Sequence, residues 1–467
     1  MTRWALCELR KKAYCMAQLG DAVARYHKLL EQDCYRELAW ADELQERMRE
    51  RHLTDAGRLL SPVLRPQFIS RRQFDSLSRA AEHLIAILDQ IEALALACPP
   101  LLNRLQMLPA EKMLASAPRC YSRLNVTSRM DANVENGSFS LSGFDASRPA
   151  GLAHWEPLAD LFLDLAIVKE FKRGRYKLSK IGGAKHLLAA TLAAWRDFGG
   201  RHHPRIAILE AAQSFGSNGT EGGLLADIFN QAGCRSRVVS PDELEYRNGK
   251  LSAGDFQIDI VFRRVLTREL LVHCDLSHPF LLAYRDRAVC VVNDFRSELA
   301  QRRVLFELLT DDAVTARFPA ADRKLIRSFV PWTRLMAQRK TKYKDQQVDL
   351  PEFVLRGREQ FVLRPNDHEC DQRAFVGAEM SPPAWDRAVR LALRTPYVVQ
   401  ERFSSGPETF PIYQYGELQM KPVEVWVHPH VYNGKVQGVS AALQSRCGGC
   451  STPLALAPVL LLDSISR

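Results

Sequence analysis

The sequence predicts an α/β protein preceded by a helical region, and two observations lead to that prediction. Up to about residue 115, apolar side chains recur every three or four residues, which is the spacing of one helix face; Leu77, Ala81, Leu84 and Leu88 are an example. From Pro118 onward, short β-prone runs alternate with helical patterns, as they do in α/β domains.

The composition is that of an ordered globular protein with more than one domain. The chain has 467 residues, of which 46% are hydrophobic and 25% are charged. The net charge of +10 is spread along the chain without the basic stripe typical of nucleic-acid-binding proteins, so no nucleic-acid partner is expected.

The apolar runs are too short for a membrane span, and charged residues interrupt the first twelve positions where a secretory signal would lie. The eleven cysteines are scattered and mostly flanked by apolar residues, which is typical of reduced, buried thiols. These features predict a soluble cytoplasmic protein without a membrane partner.

The segment from 204 to 295 has the strand–helix alternation of a small parallel-sheet domain. A long helix is predicted before it at Lys185–Phe198, and another after it at Glu298–Leu309. Within it, the predicted elements are strands at Arg205–Glu210, Ser236–Val239, Ile258–Phe262 and Val289–Val292, and a helix at Leu224–Ala232.

A glycine-rich stretch, Gly216–Gly223, follows the first of these strands and precedes a helix. Free N–H groups and the helix dipole at such a position can hold an anion. The stretch matches neither common phosphate-loop pattern, so a structural loop and an anion or substrate contact both remain open.

Six segments together resemble the circularly permuted ATP-grasp proteins related to glutathionylspermidine synthase. They are Ile258–Arg264, His278–Tyr284, Arg302–Leu309, Val330–Arg334, Phe361–Asp367 and Tyr397–Glu401. The resemblance covers about residues 118–467 and rests on the order of the motifs. It implies a permuted ATP-grasp domain in two parts, 116–200 and 298–467, interrupted by a parallel-sheet pre-ATP-grasp domain at 201–297 and preceded by the helical region 1–115.

The resemblance places Mg²⁺ ligands early in the chain, at Asp131 and Asp145, where carboxylate oxygens suit a hard cation. Arg129 matches an arginine that stabilises charge on a transferring phosphoryl group. Gly143 stands where the family has glutamate, and glycine has no side chain with which to ligate.

The resemblance also implies nucleotide-binding residues. Arg303 and Arg364 stand where the family has phosphate-binding lysines, and the planar guanidinium is not equivalent to a lysine. Gln400 and Glu401 match the strand that forms the adenine hinge. The alternative is that they are simply polar residues at the end of a strand, without a role in binding.

The pair Arg263 and Arg264 allows two interpretations. A guanidinium pair at this position could hold a substrate carboxylate through two parallel hydrogen bonds. The alternative is a pair of exposed arginines at the end of a strand.

The glycine-rich loop that covers the phosphates in the family is replaced here by His368–Arg373. Glu369 and Asp371 place two carboxylates where glycine amides would approach phosphate, so they are expected to weaken ATP binding.

Two histidines, His428 and His430, precede a C-x-x-C pair, Cys447 and Cys450, which raises the alternatives of a zinc site and a redox dithiol. The pattern lacks the second pair of closely spaced ligands that a zinc site usually has. It also lacks the strand and helix that flank the cysteines of a redox pair. No zinc is therefore expected.

The resemblance implies an ATP- and Mg²⁺-dependent ligase that joins a small-molecule carboxylate to an amine through an acyl phosphate. The departures at phosphate and metal positions support an alternative, a non-catalytic ATP-grasp homologue that acts as a binding or scaffold protein. In that case, the helical N-terminal region is the expected surface for a protein partner.

Overall fold

A computed structural model describes residues 18–55, 57–135, 138–211, 221–367, 372–403, 406–445 and 455–464. The helices of this part are α1 (18–30), α2 (Asp33–Arg36), α3 (Ala39–Glu50), α4 (Arg71–Ala97), α5 (Pro99–Arg104), α6 (Pro109–Ala115), α7 (Trp155–Asp164), α8 (Ala166–Lys172), α9 (Ala184–Phe198), α10 (Glu221–Gln231), α11 (Thr267–His273), α12 (Pro279–Arg285), α13 (Val304–Thr310), α14 (Asp312–Thr315), α15 (Ala320–Phe329), α16 (Leu350–Arg356) and α17 (Pro382–Ala392).

The strands, in chain order, are β1 (Thr54–Asp55), β2 (Arg58–Leu59), β3 (Gln67–Ser70), β4 (Thr127–Glu135), β5 (Ser138–Asp145), β6 (Tyr176–Ser179), β7 (Ile206–Leu209), β8 (Ser236–Val239), β9 (Leu244–Arg247), β10 (Lys250–Ala253), β11 (Phe256–Ile258), β12 (Ile260–Arg263), β13 (Cys290–Val292), β14 (Thr333–Leu335), β15 (Lys340–Tyr343), β16 (Gln346–Asp349), β17 (Phe361–Pro365), β18 (Phe375–Val376), β19 (Tyr397–Glu401), β20 (Glu408–Gln414), β21 (Glu417–Tyr432), β22 (Lys435–Ser445) and β23 (Ala455–Ser464).

The largest sheet has eight strands, in the order β3-β23-β22-β21-β4-β5, with β20 on β21 and β6 on β23. It packs through one face against α4 and other N-terminal helices, and together they form the largest hydrophobic core. Residues 1–115, predicted as a helical region, also contain the strands β1, β2 and β3. Of these, β3 pairs in parallel with β23, the last described strand.

The long helix predicted around Leu84 is confirmed as α4. It begins after Ser70, whose side chain accepts a hydrogen bond from the Gln73 amide, while the Gln73 side chain reaches back to the Ser70 amide. Its apolar face is fully buried; Leu84 and Leu88 are 0% exposed. Among the described residues, the helices are too short or too polar to cross a bilayer.

A second sheet, with the order β13-β12-β7-β8, is parallel throughout and has its own core. The predicted parallel sheet is thus present in the 204–295 segment, which also contains an antiparallel sheet of β9, β10 and β11. The predicted strand Ile258–Phe262 is wrong as one element: Asp259 separates β11 from β12, because its carboxylate accepts the Arg205 amide at 2.8 Å.

The predicted helix Glu298–Leu309 is also wrong in its extent. A short 3₁₀ helix covers Phe295–Leu299, and the α-helix α13 begins only at Val304. Between them, long-range contacts hold the backbone, since the Arg303 amide donates to the carbonyl of Asn366 at 2.8 Å.

A third sheet, β14-β19-β17-β18, is antiparallel and has a smaller core. It lies against the large sheet: the Gln400 side chain on β19 donates to the carbonyl of Ser142 on β5 at 3.3 Å. The region where these two sheets meet, called the cleft below, is bordered by strands that carry Asp131, Asp145, Arg364 and Gln400.

Candidate functional site

The polar face of the large sheet arises from alternation along β4. Arg129, Asp131 and Asn133 lie on one face, whereas Met130 and Ala132 between them are 0% exposed in the core. The neighbouring strands β21 and β22 alternate in the same way, so one face of the sheet is apolar and the other carries the site.

Two side chains lie against one oxygen of Asp131. The Nδ1 atom of His428 lies 2.8 Å from Asp131 Oδ1, and the Nε atom of Arg129 lies 3.3 Å from the same oxygen. The other oxygen, Oδ2, faces Gly143, where an added Cβ would lie only 2.4 Å away. The Asp131 carboxylate thus occupies the space that a side chain at position 143 would need.

Asp145 lies on the same face as Asp131. It pairs with Arg129 across the two strands, while Asp131 pairs with Gly143. The two residues are therefore diagonal neighbours, with Cα atoms about 7–8 Å apart by sheet geometry, and their side chains lie on one face. Asp145 is 1% exposed, and its Oδ1 accepts the amide of Arg148 at 3.2 Å.

Arg364, on β17 of the smaller sheet, faces this group across the cleft. Burial and the charge of Arg303 lower its pKa to about 10, and the Asp131 carboxylate acts in the opposite direction. Its guanidinium carbon lies 5.4 Å from the centre of the Trp426 ring. The structure thus brings Asp131 and Arg364 together although more than 200 residues separate them in the chain.

The Arg364 guanidinium is poorly compensated. Within the described part of the chain it forms no hydrogen bond or ion pair, and its Nε is buried. The neighbouring Arg303 donates to the carbonyl oxygens of Pro365 at 2.8 Å and Asp367 at 3.4 Å. Two cations therefore lie together at this end of the cleft.

His430 lies on the same face of the sheet and is 0% exposed. Its Nε2 lies 2.9 Å from the hydroxyl of Ser440. Burial, together with the charges of Arg129 and His428, lowers its pKa to about 3, so the imidazole is neutral at physiological pH.

Gln400 and Glu401 lie on β19, whose two edges pair with β14 and β17. The Gln400 amide also donates to the Thr333 hydroxyl at 3.2 Å, and Glu401 accepts a hydrogen bond from Tyr343 at 2.8 Å. Both side chains are thus engaged within the protein, and their role as an adenine hinge stays a prediction.

Arg263 and Arg264 are buried, not exposed at a strand end. Arg263 donates to the Glu298 carboxylate at 2.9 Å and is surrounded by further acceptors. These further acceptors belong to Asn293, Val265, Thr267, Ser147, Asp294 and Ser297. Arg264 donates to Glu210 at 3.0 Å and Glu221 at 2.7 Å. These contacts favour a structural role, and the substrate-binding role stays a prediction.

Three predicted features lie wholly or partly outside the described residues. They are the glycine-rich stretch, described only from Glu221, the loop His368–Arg373, described only from Gln372, and the pair Cys447 and Cys450. In the ranges that the structure describes, no three His, Cys, Asp or Glu side chains cluster in a way that could hold a metal ion.

Sequence reasoning missed Asn133 and Trp426 and gave His428 only a zinc-related role. The signal that could have found them is polar or aromatic residues at every second position, in β4 from Arg129 and in β21 from Trp426. Strand alternation alone would have placed them on the face of Asp131.

No family model and no curated protein match this sequence. Among solved structures, a glutathione synthetase-like effector from Globodera pallida, in its apo form, is similar with a TM-score of 0.57 and 13% identity, over 93% of this chain and 98% of the other. The chain therefore shares the mixed α/β fold of that protein.

Two further structures show weaker similarity. One is a putative gamma-glutamylcysteine synthetase from Methylobacillus flagellatus KT, with a TM-score of 0.41 and 10% identity over 83% of this chain and 87% of the other. The second is the ATP-grasp ligase PsnB in complex with a minimal precursor, with a TM-score of 0.26 and 11% identity over 51% of this chain and 89% of the other.

Proposed function

We propose that this protein binds a nucleoside triphosphate between its two sheets and belongs to the ATP-grasp-type carboxylate–amine ligases. The observation that carries the proposal is Arg364, a half-buried cation whose Nε is buried and which has no hydrogen bond or ion pair to the described residues, beside a second cation, Arg303. Burying an uncompensated charge is costly, so such a site is expected to take an anion.

A polyphosphate fits these residues. Arg364 and Arg303 supply positive charge on one side of the cleft, and Arg129 supplies it on the other. A guanidinium can hold two phosphate oxygens in a planar fork. The permuted domain order and the relation to glutathionylspermidine synthase remain part of the proposal.

The carboxylates of Asp131 and Asp145 fit a magnesium ion shared with phosphate, since Mg²⁺ in proteins is typically held by one or two carboxylates together with phosphate oxygens and water. When bound, such an ion neutralises charge on the phosphates during transfer. His428 and Arg129 contact Oδ1 of Asp131, and Oδ2 lies on the side of Gly143, where there is no side chain.

In the reaction class that the sequence resemblance implies, a carboxylate is phosphorylated to an acyl phosphate and an amine then attacks it. Arg129 is placed beside the two carboxylates to stabilise charge on the transferring phosphoryl group. The substrates are small-molecule carboxylates and amines of unspecified structure.

The second candidate is a non-catalytic binding protein. It is favoured by Arg303, which already donates to two backbone carbonyls, and by Gly143, which supplies no third metal ligand. In this case the N-terminal helices are the proposed surface for a protein partner.

Calorimetric titration with Mg²⁺-ATP, carried to millimolar concentration, tests the proposal. Arg364→Gln is expected to weaken binding by about 10- to 100-fold, because a charge-assisted hydrogen bond contributes about 1.5–3 kcal/mol. Arg356→Gln, at an exposed site on α16, is the matched control and should bind as the wild type does.

The titration also separates the two candidates. Micromolar affinity, together with phosphate release when carboxylate and amine mixtures are added, supports the ligase. Millimolar affinity without phosphate release under any mixture supports the non-catalytic protein. Equal affinity of wild type and Arg364→Gln would contradict the placement of the phosphates.

A further inference from the structure

Asn133 presents an unused hydrogen-bond acceptor inside the cleft. The residue is 1% exposed, and its Nδ2 donates to the backbone carbonyl of Phe403 at 3.4 Å. A carbonyl oxygen only accepts, so the amide must turn its NH₂ group toward Phe403 and its Oδ1 away from it. Within the described residues, this buried Oδ1 has no hydrogen-bond partner.

The surroundings of Asn133 carry further unused polar atoms. Trp426 pairs with Asn133 across the strands, and its ring Nε1 is buried without an acceptor among the described residues. The hydroxyl of Ser142, at the bulge of β5, is also buried and has no hydrogen-bond partner among the described residues. Buried polar groups are nearly always paired in folded proteins, so this concentration points to a ligand with both donors and acceptors.

Hydrogen-bonding chemistry distinguishes the parts of that ligand. Arg129 and Asp131 precede Asn133 at two-residue steps on the same face, and Arg364 lies over the ring of Trp426, the cross-strand neighbour of Asn133. Asn133 also contacts Phe403, just beyond the β19 strand. Because phosphate oxygens only accept hydrogen bonds, they suit the arginines, whereas the acceptor Oδ1 of Asn133 needs a donor, which the base of the nucleotide supplies.

We propose that Asn133 determines base specificity by accepting a hydrogen bond from the exocyclic amino group of adenine. This inference rests on the proposed nucleotide site. Guanine carries a carbonyl oxygen at the corresponding position, which cannot donate to Asn133 Oδ1. A purine without any group there would leave the buried acceptor unpaired, and that is costly.

Calorimetric titrations with Mg²⁺-ATP and with the triphosphate of purine riboside, which lacks the amino group, test the inference. The wild type is expected to bind ATP about tenfold more tightly, as one hydrogen bond of about 1.4 kcal/mol requires. Asn133→Ala should bind the two nucleotides equally. Asn103→Ala, which removes an exposed amide on α5, should keep the preference of the wild type.

The outcomes separate this inference from the proposed function. If the wild type binds both nucleotides with equal affinity, or if Asn133→Ala keeps the preference, the assignment of Asn133 is wrong while the nucleotide site stands. If neither nucleotide binds the wild type, the proposed function itself fails. If Asn133→Ala does not fold, equal affinity of the wild type for the two nucleotides would still overturn the assignment of Asn133.

Discussion

Replacing Asp89 with asparagine should stabilise the protein at neutral and alkaline pH. Asp89 lies on α4 beside Glu92, and burial is the main cause that raises its pKa from 3.8 to about 6. Arg123 and a hydrogen bond with Asn125 act in the opposite direction but do not outweigh burial. Glu92 is 0% exposed, and burial raises its pKa well above the ordinary value.

The sign follows from the raised pKa. The folded state binds a proton more tightly than the unfolded chain, so Asp89 favours folding below pH 3.8 and this contribution is lost as the pH rises through about 6. At 1.36 kcal/mol per pH unit, the loss is about 3 kcal/mol at pH 8, about half of that at pH 5 and about 0.5 kcal/mol at pH 4. Asparagine has a similar shape and no charge to desolvate.

The measurement is the melting temperature of wild type and Asp89→Asn at pH 5 and pH 8, followed by intrinsic fluorescence. The variant is expected to melt several degrees higher at pH 8 and to show a smaller gain at pH 5, since about 1 kcal/mol changes the melting temperature by a few degrees. Asp75→Asn, at an exposed position on the same helix, should change little at either pH. A loss of stability at pH 8, or an equal gain at both pH values, would refute the reasoning.

Three further substitutions test packing and charge at single positions. Gly143→Ala should lower the free energy of unfolding by about 1–3 kcal/mol, because its Cβ would lie 2.4 Å from Asp131 Oδ2. Gly20→Ala should instead raise it by about 0.5–1 kcal/mol, because Gly20 lies in α1 with open space around it. Thermal melts measure both changes. Glu221→Gln should cost about 3 kcal/mol at pH 7, because Arg264 and nearby amides outweigh burial and lower the pKa of Glu221 from 4.5 to about 2. That cost should shrink as the pH falls below 4.5 in melts at a series of pH values, and a cost independent of pH would contradict the ion pair as its source.

The local elements could largely be predicted from the sequence, because helix and strand periodicity is a property of consecutive residues. The burial face of α4 and the strands β7, β8 and β13 follow from spacing alone. The prediction was wrong at Asp259 and between Leu299 and Val304, where contacts with distant backbone atoms end or delay an element. Such contacts leave no mark in the local pattern.

The candidate site could be predicted only in part. The resemblance named Asp131 and Arg364, and the structure places them on facing sheets. The sequence also suggested that Arg263 and Arg264 hold a substrate carboxylate or lie exposed at a strand end, yet in the structure their donors engage internal acceptors, including the Glu298 carboxylate. A sequence gives the charge of a side chain but not its partners, which come from segments far along the chain.

The sequence by itself determined which residues alternate along β4 and therefore which share a face: Arg129, Asp131 and Asn133, all polar, between apolar neighbours. Only the tertiary structure decided what these side chains meet. His428 and Trp426 reach them through β21, and Arg364 through the smaller sheet, from positions about 300 and more than 200 residues away. The physical reason is that the charge balance of a buried group depends on the whole set of atoms packed around it, and that set is fixed only when the two sheets come together.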